Sequence, residues 1–443
     1  MPDFPPDKLA GWTGGRWTAR PAAAISGFAT DTRELVRGQA FVALKTGQRD
    51  GHDFLGAARE AGASAAIVSA ANPAVPLAQL AVANPLAAFQ AIAREHRREF
   101  PGPVIGVSGS AGKTSTKNLL ALLLGSSVLA TEGNLNNHLG VPLTLTRLDP
   151  ARHRHAVIEA GISAPGEMAT LAAMIEPDIA VITLVAPAHL AELGGIEGVA
   201  REKAILAAAV RPGGMAVFPA QCAEFEAFRA LKVPVNVVAF SASHQGDSTR
   251  IQLAEGPGAP FTLRRVSAGM AQNAALALTV AVRLGVARDA LQHRLEQWQP
   301  APLRGELRRD GERLLYLDCY NANPASMADA LAAFAAAAPA GDPRLLVLGG
   351  MEELGPEADH FHRELGRSLR LGPDDFTFVI GGNAGAVRDG AIESGNPAAQ
   401  IAVVATLDPV VDRLATFRGA VFIKGSRRYE LERLVEEKTC SVI

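Results

Sequence analysis

Residues 101–125 read PGPVIGVSGSAGKTSTKNLLALLLG. Pro101, Gly102 and Pro103 punctuate the chain as a linker would. The apolar run at 104–107 reads as a short strand, and the leucine-rich stretch from Ser115 reads as a helix. Between them lies Ser108-Gly109-Ser110-Ala111-Gly112-Lys113-Thr114. A glycine-rich turn that leaves a strand and opens a helix lets backbone N–H groups close on phosphate oxygens. Lys113 can reach β- and γ-phosphates, and the Thr114 hydroxyl can coordinate magnesium. In the usual GxxxxGK[ST] pattern the first glycine would occupy position 107. That place is Val107, and the glycine stands one earlier, at Gly106. A glycine-rich turn with a chance Lys-Thr would look similar, but the flanking strand and helix favour a phosphate loop. Such a loop implies nucleotide binding and no particular reaction.

Outward from this loop, strand and helix alternate. HAVIEAG, DIAVITLV and GMAVFP read as strands on the C-terminal side, and 269–286 as a helix. Alternation of this kind predicts βαβ units and a mainly parallel sheet. On the N-terminal side, 41–44 reads as a strand, 45–54 as a loop, and 57–69 as a helix followed by a strand. A second break falls near QWQPAPLRGE at 297–306. Beyond it LLYLDCYNANP, RLLVLGG, FTFVIGG and AVFIKGS are strands or strand–helix joins, and the Ala-rich 328–338 is a helix. The fold expected is α/β with three domains. Residues 1–98 form the first, 99–300 a central phosphate-loop ATPase-like domain, and 301–443 a Rossmann-like C-terminal domain.

Composition supports this and excludes other classes. At 443 residues the chain is too long for one compact core. It is 48% hydrophobic and 20% charged, as soluble globular proteins are. A formal net charge of -2 argues against a broad nucleic-acid interface, which needs clustered Lys and Arg. Cys222, Cys319 and Cys440 lie far apart with no CxxC pair, which fits a reducing compartment. The opening MPDFPPDKLAGW has no apolar stretch of a signal peptide, and the apolar runs at 119–125 and 179–188 are too short to span a bilayer. A cytoplasmic, monomeric protein with no stable membrane insertion and no nucleic-acid partner is expected.

The spacing Gly106-x-x-Gly109-x-x-Gly112-Lys113-Thr114 resembles the Mur ligase family, whose members join amino acids or peptides to UDP-N-acetylmuramoyl precursors. GNLNNHLGVPLTL at 133–145, YNANPASM at 320–327 and KGSR at 424–427 resemble its D-alanyl-D-alanine-adding branch. TDTR at 30–33 and the FVAL…GHDF pattern at 41–54 resemble a UDP-muramoyl-binding domain shared by two branches of the family. The DNPR-like motif of the diamino-acid-adding branch is absent from the sequence. The resemblance covers almost the whole chain, in the family's order. Three places depart from it: Gly350 stands where the family usually has Asp, Ile205 where a Glu often follows the modified lysine, and Gly269-Met270 where a His-Asn pair precedes Asn273.

Making an amide from a carboxylate requires activation, and ATP supplies it through an acyl phosphate. The site must then neutralise the triphosphate, the carboxylate and a developing oxyanion. Glu159 closes the strand HAVIE, at the C-terminal sheet edge where ligands bind in open α/β folds. A solvated strand-end Glu is the plainer alternative. His189 follows a second apolar run, though a lone histidine is more often structural. By resemblance, Thr114, Glu159, His189 and a carbamylated Lys203 form the magnesium site, and Lys113, Glu159, His189 and Lys203 are the expected catalytic set. Without the resemblance Lys203 is a solvated helix lysine.

The resemblance also implies ATP contacts from Gly109, Ser110, Ala111, Gly112, Lys113, Thr114, Ser115, Asn273, Arg304, Asp318 and Asn321. UDP-N-acetylmuramoyl-tripeptide would meet Thr32, Arg33, Lys45 and His52, with Asp31 and Gly51 beside them, and Asn134, Asn136 and Asn137. The dipeptide would meet Asn323, Lys424 and Ser426. Surface charges and Asx turns are the plainer reading of many of these positions. The linkers at 101–103 and around 300–305 are suitable pivots, so an open ligand-free chain with Asp318 far from Lys113 is expected. Two alternatives stay open: another Mur-type or folylpolyglutamate-type ligase, and a nucleotide-binding homologue that has lost the reaction.

Overall fold

The computed structural model describes residues 2–21, 24–255 and 258–435; Cys440 lies outside them. Among the described residues, the parallel strands gather into three sheets. The middle one has six strands in the order Val235–Val238, Met215–Pro219, Ile179–Ile182, Val104–Ser108, His155–Glu159 and Val128–Ala130. Every neighbouring pair is parallel. The inner strands are buried along their whole length except at His155, the mark of a sheet covered on both faces. Alternate residues feed two different cores. Ile105, Val107, Val157, Val181 and Val217 pack with the helices Lys113–Leu124 and Ala268–Arg283. Ala156, Ile158, Ala180, Ile182 and Phe218 pack on the other face.

The first sheet has five strands, parallel except for Arg16–Trp17 at its edge, with the helix Pro85–Glu99 after its last strand. The expected loop at 45–54 instead holds a small antiparallel hairpin, Lys45–Thr46 with Arg49–Asp50, and a short 3-10 turn over Gly51–Phe54. The third sheet has six strands, parallel except for Glu306–Asp310 against Arg313–Asp318. Residues 240–264, where no element was expected, form three antiparallel strands. Its first turn is Gly246-Asp247, with Gly246 at a φ of 56°, as a two-residue hairpin demands.

The cores of the second and third units are not separate. One apolar cluster runs from Ile158 and Ile182 of the middle sheet through Leu190, Leu193, Met351 and Leu354 to Leu348 and Phe422 of the third. The linker at 101–103 is no free pivot either. Phe100 is buried, and a Cβ on Gly102 would sit 2.2 Å from the carbonyl oxygen of Arg154. No described helix is long and apolar enough to cross a membrane.

Candidate active site

The phosphate loop owes its shape to two glycines. Gly109 has a φ of 151°, and a Cβ there would lie 1.9 Å from Thr183 Oγ1. Gly112 has a φ of 79° and faces the amide of Asn273, which a Cβ would meet at 2.5 Å. Both positions need the missing side chain and the left-handed backbone together. The loop is then pinned to the end of the neighbouring strand. Ser110 Oγ donates to the Ala186 carbonyl at 2.7 Å, the Ser110 amide to the Leu184 carbonyl, and Thr183 Oγ1 to the Ala111 carbonyl.

Lys113 is the first residue of the helix that follows, and its Nζ donates back to the Gly109 carbonyl at 2.8 Å. Removal from water pushes its ammonium below the usual lysine range, and Glu159 acts in the opposite direction. Thr114 Oγ1 donates to Glu159 Oε1 at 3.2 Å, and Asn136 Nδ2 donates to the same oxygen at 2.9 Å. Glu159 Oε2 is buried without a hydrogen-bond partner. A buried carboxylate oxygen left bare beside a lysine and a threonine hydroxyl is costly unless a cation or donor arrives.

A cavity of about 900 Å³ opens over this group between the second and third units. Ser110, Ala111, Gly112, Lys113, Thr114, Ser115, Asn136, Glu159 and Asn273 line it from one side, and Arg304, Asp318, Asn321, Asn323 and Lys424 from the other. A second cavity of about 870 Å³ shares Thr114, Arg304, Tyr320 and Asn321 with it and adds Asn134, His189, Glu353 and Ser426. Asp318 and Lys113 therefore line the same cavity. The two units touch at its rim: Asn323 Nδ2 donates to the Ser110 carbonyl at 3.2 Å, and the Gly269 amide to Asp329 Oδ1 at 2.8 Å.

Several expected site residues have structural partners. Lys424 is 1% exposed, and its Nζ is held by Asp318 Oδ2 at 2.7 Å and the Asn321 carbonyl at 3.0 Å. Asn323 caps the helix Pro324–Ala337 through a reciprocal bond with Ser326. Asn137 Oδ1 accepts from the amides of Leu139 and Gly140. The Arg304 guanidinium stacks 3.8 Å above the Tyr320 ring. Lys203 lines neither cavity. It is 3% exposed, so the solvated-lysine alternative does not describe it. Burial first, and then the nearby charge of Lys113, push its pKa well down.

In the first unit, Thr32, Arg33, Lys45 and His52 line neither cavity. Arg33 pairs with Asp31, whose carboxyl it holds down at about 2. His52 Nδ1 lies 2.6 Å from Asp50 Oδ1, and its Nε2 accepts from the Ser69 amide at 2.9 Å, so both ring nitrogens are engaged. A Cβ on Gly51 would meet the Leu44 amide at 2.6 Å.

The departures from the family pattern have local causes. A side chain at Gly350 would run into the Tyr429 hydroxyl, 2.7 Å from its Cβ position, and Tyr429 reaches Glu352 instead. A side chain at Gly269 would run into Asp329 at 2.7 Å, so the third unit's helix approaches there. Ile205 packs against the core. Sequence reading missed Glu353, whose Oε2 lies 2.7 Å from His189 Nδ1, because the pair spans two units. It also missed Asp329 and Lys117, the latter buried with its Nζ on the Thr131 carbonyl.

Fold and site together define a phosphate-loop protein with a polar cavity between its second and third α/β units. Residues 107–275 match the Mur ligase middle domain model, and residues 303–427 match the Mur ligase glutamate ligase domain model. The UDP-N-acetylmuramoyl-tripeptide--D-alanyl-D-alanine ligase of Escherichia coli is 31% identical, over 93% of this chain and 94% of its own length. A crystal structure of MurF from Acinetobacter baumannii superposes with a TM-score of 0.88 at 30% identity, covering 98% of both chains. MurF from Thermotoga maritima in complex with ADP gives a TM-score of 0.77 at 28% identity, covering 93% of this chain and 96% of that one. The chain belongs to the Mur ligase family.

Proposed function

We propose that this protein joins D-alanyl-D-alanine to UDP-N-acetylmuramoyl-tripeptide, converting ATP to ADP and phosphate, in peptidoglycan precursor synthesis in the cytoplasm. The carrying observation is the cavity that sets Lys113, Thr114 and the bare Glu159 oxygen against Asp318 and Asn321 of the third unit. The tripeptide carboxylate attacks the γ-phosphorus of ATP, and ADP leaves, giving an acyl phosphate. The amine of the dipeptide attacks the acyl carbon. The tetrahedral intermediate expels phosphate, and the nitrogen loses its proton.

Lys113 neutralises the transferring phosphoryl group from the helix start. Thr114 and Glu159 are the residues that hold magnesium, which, when bound, screens the phosphate charge. No cluster of three or more His, Cys, Asp or Glu occurs among the described residues, and magnesium is commonly held by one or two carboxylates together with substrate phosphates. His189 would hold a second magnesium, and Lys203, whose ammonium form burial disfavours, would be the lysine to carbamylate. Asn273 meets the adenine, and Arg304 and Asp318 the rest of the nucleoside. Asn134 and Asn136 link the nucleotide and muramoyl sites. Thr32, Arg33 and Lys45 receive the uridine diphosphate end, with His52 bracing the hairpin that carries Lys45. Ser426 faces the dipeptide, and Lys424 acts by fixing Asp318.

Phosphate release with defined UDP-tripeptide checks this reading. Release should require both ATP and D-alanyl-D-alanine. Equal release with a free amino acid in place of the dipeptide assigns another branch, and nucleotide binding without amide formation assigns a non-ligase.

A further inference from the structure

His189 sits in the left-handed region at a φ of 52°, just before the short helix Leu190–Leu193. Facing it across the boundary between units is Glu353, also left-handed at a φ of 65°. Two non-glycine residues in this region, each bearing a long side chain, are strained unless their surroundings fix them. Here they fix each other. Glu353 Oε2 lies 2.7 Å from His189 Nδ1, and the Glu353 carbonyl accepts from the Leu190 amide at 3.1 Å. The apolar seat beneath is independent of that pair: Leu190, Leu193 and Leu354 are buried in one cluster.

We propose that Glu353 is a positioning residue that makes the docking of the third unit set the orientation and tautomer of the His189 ring. With its Nδ1–H held by the carboxylate, the imidazole presents Nε2 alone as a ligand. Such outer partners tune metal affinity by roughly 10- to 100-fold. The site is then complete only when the third unit, which carries Asp318, Asn321 and Ser426, is seated. The inference rests on the reading of His189 as a magnesium ligand.

The experiment is manganese binding to the full chain with a non-hydrolysable ATP analogue, followed by electron paramagnetic resonance, beside the imidazole nitrogen spectrum of His189. Glu353→Ala should weaken the manganese bound at this position by about 10-fold or more and leave the ring in a mixture of tautomers. Glu353→Gln, whose amide oxygen still accepts from Nδ1–H, should recover most of the affinity. Glu352→Gln, which touches Tyr429 and Arg428 instead, should change neither readout. Affinity and tautomer in Glu353→Ala equal to the unaltered protein, with His189→Ala losing the metal, overturn the positioning role alone. If His189→Ala also keeps the metal, the ligand reading beneath it fails, and the proposal fails with it.

Discussion

The two joints between units are built differently. At the first, the helix Pro85–Glu99 lies against the middle unit with charge and backbone locked together. Arg97, 0% exposed, donates to the carbonyls of Ile175 and Glu176 at 2.8 Å each and to Asp178 Oδ2 at 2.7 Å. The same Asp178 oxygen accepts from the Val104 amide, which starts the central strand. His96 Nε2 lies 2.8 Å from the Leu148 carbonyl. At the second joint the units are held apart by the cavity and touch at its rim and at one apolar seat. The connecting chain there has Leu303 and Gly305 in the left-handed region, at 59° and 68°. Arg97 Nη1 has no hydrogen-bond partner, but the other guanidinium nitrogens of this buried cation are paired. A joint built on a paired buried charge resists opening, because parting it strands the cation. Opening the second joint strands no buried charge among the described residues but uncovers part of the shared apolar cluster and the rim contacts, and movement is expected there.

Arg97→Ala strikes the first joint hardest. It removes the partner of two backbone carbonyls and of the 33%-exposed Asp178 carboxylate, which keeps the Val104 amide, and about 2–3 kcal/mol of stability should go. Denaturant unfolding measures this, and a loss under about 1 kcal/mol would show that the joint is not locked by charge.

Lys113→Ala strikes the cavity. Turnover should fall by at least about 100-fold, near 2.7 kcal/mol of transition-state stabilisation. The folded state loses one hydrogen bond to the Gly109 carbonyl and the cation beside the buried Glu159 carboxylate. Steady-state phosphate release and a melting curve separate the two effects, and near-normal turnover would remove the loop from catalysis.

Two glycine substitutions sharpen the contrast. Gly102→Ala forces a methyl against the Arg154 carbonyl and should cost about 1–3 kcal/mol. Gly305→Ala meets only the Tyr316 hydroxyl at 3.3 Å, and its left-handed backbone should cost about 1 kcal/mol. Calorimetry of both variants would reverse the assignment if Gly305→Ala proved the more damaging.

The smallest effect is geometric. Spin labels at Arg37 and Arg229 report across the first joint, and labels at Arg229 and Arg388 across the second. Adding ATP and UDP-tripeptide should leave the first distance fixed and narrow the second distribution. A shift confined to the first pair would reverse the comparison.

The sequence reading expected pivots at both linkers, and only the second has a pivot's backbone. Proline and glycine mark a break in an element. Whether Gly102 gives freedom or close contact depends on Arg154, fifty-two residues away. Likewise the order of apolar and polar residues revealed the strands of the middle sheet, but not the antiparallel strands at 240–264. The first of them, Phe240–Gln245, is largely exposed, and the other two bury alternate residues only, so none carries a continuous buried run.

What the sequence determined by itself was local chemistry with a fixed spacing. A strand, two glycines and Lys113-Thr114 suffice for a phosphate loop, because its ligand is its own backbone and the first turn of its own helix. Glu159 at a strand end was legible for the same reason: period and position place it at the sheet edge. Tertiary structure alone decided what depends on partners far apart in the chain. It turned Lys424 inward onto Asp318 and bound His52 between Asp50 and Ser69. It also buried Lys203 in a place where an ammonium is hard to keep and set Glu353 on His189. Burial and pairing are properties of a neighbourhood, and a neighbourhood exists only once the sheets have packed.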